Sequence, residues 1–231
     1  MSTQFSHQVV SALGLALEID GSVPLTKELV EELADLCARA QDDAHDVLVL
    51  VVRGEPGEHS AHEGVGVHLV NKWERQLRQL ERLEVATVAI ADGACGGVAM
   101  EALLATDYRI ATDDVTFRVP SISGEPWPGM VLHRLVTQTG IARIRRSALF
   151  GMSIRPQEAL AYGLVDEFVR DASEAVKRTR RLMKERSGSE LAIRRRLLLD
   201  SATTSFEDAL GTHLAACDRS LRRSEKNTLA V

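Results

Sequence analysis

The sequence predicts an α/β fold with a helical C-terminal part, and three observations carry that prediction. Over the first two-thirds of the 231 residues, apolar β-branched runs alternate with amphipathic stretches, the pattern of strands joined by crossover helices. One run, "DVLVLVVRG" (46–54), is apolar without interruption, as a strand covered on both faces must be. From residue 170 onward the strand pattern stops, and the chain is arginine-rich with helical periodicity. The division that follows is a core over residues 1–169 and a C-terminal helical region over 170–231.

Taken in order, "VVSALGLALEID" (9–20) suggests one or two strands, and "PLTKELVEELADLCARA" (24–40) a helix. In that helix Leu29, Leu33 and Leu36 recur at apolar spacing, and Thr26 stands where a capping hydroxyl is favoured. After the 46–54 strand, "EPGEHSAHEGVG" (55–66) is a polar, glycine-bearing loop. "VHLVNKWERQLRQLERL" (67–83) is an amphipathic helix, and "VATVAIA" (85–91) a buried strand. Two adjacent glycines then open a helix in which Val98 to Ala105 are apolar on every side except Glu101. "DYRIATDDVTFRVP" (107–120) reads as a short strand pair, "SISGEPWPG" (121–129) as a loop. Short helices and "GLVDEFV" (163–169) follow, and the C-terminal helices break near "SGSE" (187–190).

Composition narrows the function. A net charge of −5 with 4% aromatic residues offers neither a basic nucleic-acid surface nor a base-stacking platform. No apolar run approaches the roughly 20 residues that a membrane helix needs, and "MSTQFSHQ" lacks the basic start and apolar centre of a signal peptide. Cys37, Cys95 and Cys217 have neither metal-site nor disulfide spacing, as in a soluble cytoplasmic protein with reduced thiols. His59, His62 and Glu63 crowd one loop, but two histidines three apart on a loop are more often bystanders than metal ligands. The expectation is no metal, no nucleic acid and no membrane.

The strand–glycine–helix unit invites a nucleotide reading, and the spacing rejects it. Counted from Gly93, the second and third positions of G-x-G-x-x-G fall on Cys95 and Val98. The lysine-bearing phosphate loop is absent as well, since no lysine lies between Lys72 and Lys177. What remains is the general chemistry of a helix start. Its first N–H groups lack partners, small residues let a ligand approach, and residues three apart share a face. The N–H of Val98 and the carboxylate of Glu101 would then converge on one spot, a donor beside an acid/base group. A buried carboxylate is costly without a partner. The alternative is that Glu101 is structural and paired with an arginine such as Arg109.

The run "VATVAIADGACGGVAMEALLATDYRIATDDVTFRVP", the later "EALAYGLV" and "DVLVLVVRG" together resemble the crotonase superfamily, the enoyl-CoA hydratases and isomerases, over residues 46–169. The resemblance implies a right-handed spiral of ββα turns and C-terminal helices that support a homotrimer or hexamer. It implies an acyl-CoA substrate, with no cofactor beyond the coenzyme A that the substrate carries. By position the two backbone donors for a thioester oxygen fall on Ala61 and Val98, and the first catalytic glutamate on Glu101. The second falls in "FRVPS", where the family's Pro-Glu becomes Pro120-Ser121. A serine hydroxyl holds a water but donates a proton poorly at neutral pH. Glu125 is a candidate replacement carboxylate, and Trp127 a candidate pocket wall or trimer contact. His62 and Gly64 also depart from the family's first oxyanion loop. The chain is similar to the small hydratase-like proteins of the dihydroxyphenylglycine pathway, which assist a polyketide synthase. That similarity implies dehydration of a polyketide-derived CoA thioester. The rival is a thioester-binding accessory protein that boosts a partner synthase without catalysis of its own.

Overall fold

The computed structural model describes residues 15–42, 47–56, 64–170, 172–183 and 188–229. Its centre is a parallel sheet of β1 (Ala16–Asp20), β2 (Val47–Gly54), β3 (Ala86–Cys95), β4 (Tyr108–Thr112) and β8 (Glu167–Val169), side by side in that order. Parallel neighbours require crossovers, and three helices supply the first three: α1 (Lys27–Asp42), α2 (Val67–Leu80) and α3 (Gly97–Leu103). The helix predicted from Thr26 forms, and the Thr26 hydroxyl accepts the Leu29 N–H at 3.2 Å, as a cap should.

β2 behaves as its composition demands. Leu48 through Val52 are completely buried. Because successive side chains alternate in direction, Leu48, Leu50 and Val52 join the cluster beneath α1, α2 and α3. Val49 and Val51 join Val88, Ile90 and Ile110 in a second cluster on the other face. Ala175 of α7 (Ala172–Met183) closes that second cluster. Burying each large aliphatic side chain contributes about 1.5–3 kcal/mol, so covering both faces gives the sheet its stability.

The segment 107–120 does form two strands, but they do not pair with each other. β4 lies beside Val88–Ala91, and β5 (Thr116–Phe117) beside Ala94–Cys95, both parallel to β3. β3 also runs past the predicted end at Ala91. Its partners jump from Arg53↔Asp92 to Gly54↔Cys95, and Gly93, at φ +62°, takes up the two extra residues as a bulge. The loop predicted over 121–129 contains a small hairpin, β6 (Ser121–Ile122) with β7 (Glu125–Pro126). Ser123 and Gly124 both have positive φ, 51° and 81°, as a tight hairpin turn requires.

Three strand ends meet where no side chain fits. The Gly21 N–H donates to Arg53 O at 2.7 Å, and the Gly96 N–H to Gly54 O at 2.9 Å. A Cβ on Gly21 would lie 2.1 Å from Gly96 O and 2.6 Å from Gly54 O. This contact seats the start of α3 against the ends of β1 and β2.

The helices α4 (Met130–Thr139), α5 (Ile141–Phe150) and α6 (Pro156–Tyr162) lead to β8. After α7 come α8 (Ser189–Asp200) and α9 (Phe206–Leu229), with a second break at 201–205 beyond the one predicted near 187–190. Buried Arg195 fastens α8 by donating to the Leu83 and Val85 carbonyls and to both oxygens of Asp107. On α9, Phe206, Leu210, Leu214 and Leu221 are exposed. Among the described residues no helix is long and apolar enough to cross a membrane.

The glycine junction makes a sharp expectation. Gly21→Ala should destabilise the fold by about 1–3 kcal/mol or more, through backbone overlap. Gly211→Ala on α9, where a Cβ meets nothing within 4 Å, should be neutral or stabilising by up to about 1 kcal/mol. Urea unfolding of both variants measures the contrast.

Candidate active site around Glu101

The site begins where α3 leaves the glycine junction. Gly96 caps the helix in extended backbone and offers no side-chain cap. Its carbonyl accepts the Met100 N–H at 3.1 Å. The N–H groups of Gly97, Val98 and Ala99 therefore have no carbonyl four residues back, the usual state of a helix start. All seven residues of α3 are buried. Val98 is completely so, and Glu101, one turn further on the same face, is 1% exposed. The sequence-predicted pair of a backbone donor and a carboxylate is thus brought together on one helical turn.

One partner of Glu101 lies on α2. Its Oε2 accepts the indole Nε1–H of Trp73, on α2, at 2.8 Å. Arg109 is occupied elsewhere: its Nη2 donates to the Leu104 and Thr106 carbonyls and to Gln138 Oε1. Burial lowers the Arg109 guanidinium to about 10, with Asp166, Asp107 and Glu81 working against that fall. Trp73 is completely buried. From sequence it is only an apolar-face residue of an amphipathic helix, and nothing local to "NKWER" points to a glutamate twenty-eight positions away.

A buried ion network continues from Trp73. Its neighbour Glu74 accepts Arg134 Nη1 at 2.7 Å, and Arg134 Nε donates to Glu81 at 2.8 Å. Burial pushes the Glu74 carboxyl above its ordinary range against the pull of Arg134, and the negative charges of Glu101 and Glu81 push it further. Arg134 thereby ties α4 to α2.

The remaining candidates are less concentrated. Half-buried Ser121 lies on β6, opposite Pro126, and Glu125 is exposed on β7 opposite Ile122. The hairpin follows β5 closely, and the Arg118 N–H donates to Cys95 O at 3.1 Å, next to the α3 cap. Arg118, three residues before Ser121, is thus held beside the helix start. Trp127 packs against the main core cluster, and its ring fills the space over Gly129, where a Cβ would lie 2.1 Å from Nε1. That placement suits a wall. Ala61, with His59, His62 and Glu63, lies outside the described residues. Among the described residues no group of three His, Cys, Asp or Glu side chains is placed to hold a metal ion.

A cavity of about 730 Å³ opens at the other end of α3, lined by Leu104–Asp107 and by residues of α4 and α8. Arg78, Arg109, Arg134 and Arg195 in its wall stand with Glu81, Asp107, Asp166 and Asp200, so its charge is balanced.

With this geometry in view, the comparisons with known proteins agree. Residues 24–227 match the enoyl-CoA hydratase/isomerase family. The chain is 45% identical over 210 residues to an enoyl-CoA-hydratase of Amycolatopsis orientalis, covering 90% of this chain and 96% of that one. It is 25% identical over 201 residues to a probable enoyl-CoA hydratase of Bacillus subtilis strain 168, covering 80% and 78%. Its fold is similar to that of an enoyl-CoA hydratase/isomerase from Marinobacter aquaeolei, with a TM-score of 0.73 and 18% identity, over 94% and 92% of the two chains. The chain belongs to the enoyl-CoA hydratase/isomerase family, within the crotonase superfamily.

Cys95 lies one residue before the α3 cap, yet its chemistry is shut off. Burial raises its thiol well above the ordinary range, and burial pushes the Cys37 thiol up to about 12. Thiolate is the reactive form. Cys37 and Cys95 should therefore stay unmodified by a disulfide reagent in the native protein and react only after denaturation. Peptide mapping of the labelled protein checks this.

Proposed function

We propose that this chain is a crotonase-type acyl-CoA lyase or isomerase, acting through a thioester enolate. The observation that carries the reading is the first turn of α3. Its buried backbone donor at Val98 stands one turn from the buried carboxylate of Glu101, in a chain whose relative at 45% identity is named an enoyl-CoA-hydratase.

The Val98 N–H, with the Ala61 N–H that the family pattern assigns as its partner, would hold the thioester oxygen. Glu101 takes the α-proton, the C–H electron pair becomes the enolate double bond, and negative charge settles on the held oxygen. When the enolate re-forms the thioester carbonyl, its electrons make the Cα=Cβ bond and expel the β-hydroxyl. The proton taken by Glu101 joins the hydroxyl, which departs as water. The reverse course is hydration, with Ser121 as a hydroxyl able to hold that water. One carboxylate suffices for dehydration toward an aromatic ring, where loss of water is downhill. A polyketide-derived CoA thioester is therefore the substrate class we favour.

Ser121 in place of a second carboxylate also supports the rival, a thioester-binding accessory protein that assists a polyketide synthase. Exposed Phe206, Leu210, Leu214 and Leu221 on α9 support assembly through the C-terminal helices into a trimer or a pair of trimers. Light scattering should give three or six times the 25.3 kDa chain mass, and a monomer at micromolar concentration contradicts that assembly.

Acetoacetyl-CoA, an enolate-like probe, should bind with micromolar affinity, about −7 to −8 kcal/mol by titration calorimetry. Absence of heat and of displacement at millimolar probe rejects thioester binding altogether. Glu101→Gln should slow exchange of the α-protons of butyryl-CoA in D2O by roughly a hundred- to ten-thousand-fold, with probe binding nearly intact. Exchange at the unmodified rate would make Glu101 structural and leave the accessory reading standing.

A further inference from the structure

Granting Glu101 its acid/base role, we propose that Trp73 is a positioning residue for that carboxylate. Its indole N–H fixes Oε2 so that Oε1 carries the proton to and from the substrate. The contact is 2.8 Å long, joins α2 to α3, and buries both groups almost completely.

The chemistry of the donor matters. An indole N–H donates and never accepts, so Trp73 can serve only an oxygen bearing a lone pair. It binds a carboxylate oxygen or the carbonyl oxygen of the acid better than a hydroxyl oxygen, and so disfavours a proton placed on Oε2. Protonation is thereby steered to Oε1. A carboxylate terminus is otherwise loosely held about its last torsion, and a hydrogen bond to a charged acceptor is about twice as strong as one between neutral groups.

The donor is itself held rigidly. Glu74, the next residue, is bonded to Arg134, and Arg134 also grips Glu81 two turns further along the α2 segment. This fixes the rotation of α2 about its axis from the residue next to the ring onward to the helix end. A neutral donor orients the carboxylate without itself bringing a charge to it.

Trp73→Phe keeps the ring and removes the donor. At saturating butyryl-CoA, α-proton exchange should fall roughly tenfold to a hundredfold, the worth of one charge-assisted hydrogen bond. The Kd for acetoacetyl-CoA should stay within about threefold, since the backbone donors are untouched. A readout independent of turnover is the indole N–H proton resonance of Trp73. The chain has two tryptophans, so Trp127→Phe assigns it even if Trp73→Phe does not fold. Glu101→Gln should move that resonance upfield, because a charged acceptor becomes neutral. A resonance unmoved by Glu101→Gln, or exchange in folded Trp73→Phe within twofold of the unmodified protein, overturns the positioning role while the acid/base role of Glu101 stands. Unmodified exchange in Glu101→Gln itself overturns both.

Discussion

Backbone-to-backbone contact at Gly21, Gly54 and Gly96 is the constraint on which the rest of this molecule depends. A side chain at this junction would force the three strand ends apart, since a Cβ on Gly21 would overlap the Gly96 and Gly54 carbonyls. Here the ends close to hydrogen-bond distance, 2.7 Å and 2.9 Å between successive strands. The helix that follows β3 starts inside the protein instead of on its rim, with all seven of its residues buried. A glutamate placed on that helix is enclosed from the outset. Its burial is a consequence of strand geometry, and its hydrogen bond to Trp73 answers the desolvation which that burial imposes.

What could be read from sequence were features whose cause is local. The continuous apolar run of β2, the capped helix after Thr26 and the all-round apolar α3 each follow from periodicity within one element, and the structure contains all three. Parallel pairing is not local, so the partners of β4 and β5 could not be told from the stretch "DYRIATDDVTFRVP". The hairpin at 121–126 escaped for a different reason. Strands of two residues bearing Pro126 and flanking Ser123-Gly124 have the composition of a loop. At the site, Val98 and Glu101 were visible because three-residue spacing on a helix is a fixed relation. Trp73 was not, because its hydrogen bond to Glu101 arises only when α2 meets α3, and tryptophan on an apolar face carries no sign of its acceptor.

The arginines divide by what they touch. Arg134 and Arg195 are buried against carboxylates and join elements far apart in the chain. Burial disfavours the charge of Arg134, yet Glu81 and Glu74 together raise its pKa above the ordinary value. Arg109, by contrast, donates its hydrogen bonds to neutral acceptors, and its Nε has no hydrogen-bond partner among the described residues. Arg178 stays exposed, bonded to Glu167 and Glu174 at the surface, where such pairs add little. A run of basic residues in the sequence therefore says little until burial sorts structural cations from solvated ones.

The attachment of α8 concentrates on a short stretch of the molecule. The Gly188 N–H meets the Glu84 carbonyl, and Arg195 reaches Leu83, Val85 and Asp107. Asp107 in turn receives the Thr87 amide and hydroxyl at the base of β3. Residues 188–229 are thus a helical limb fastened to the base of β3 through this patch, while the sheet is held along its whole length. Such a limb opens as a unit at a free-energy cost below that of global unfolding. Its amides would exchange together, ahead of those of β2 and β3, and the chain would have a partly open form in which the sheet and α3 remain closed.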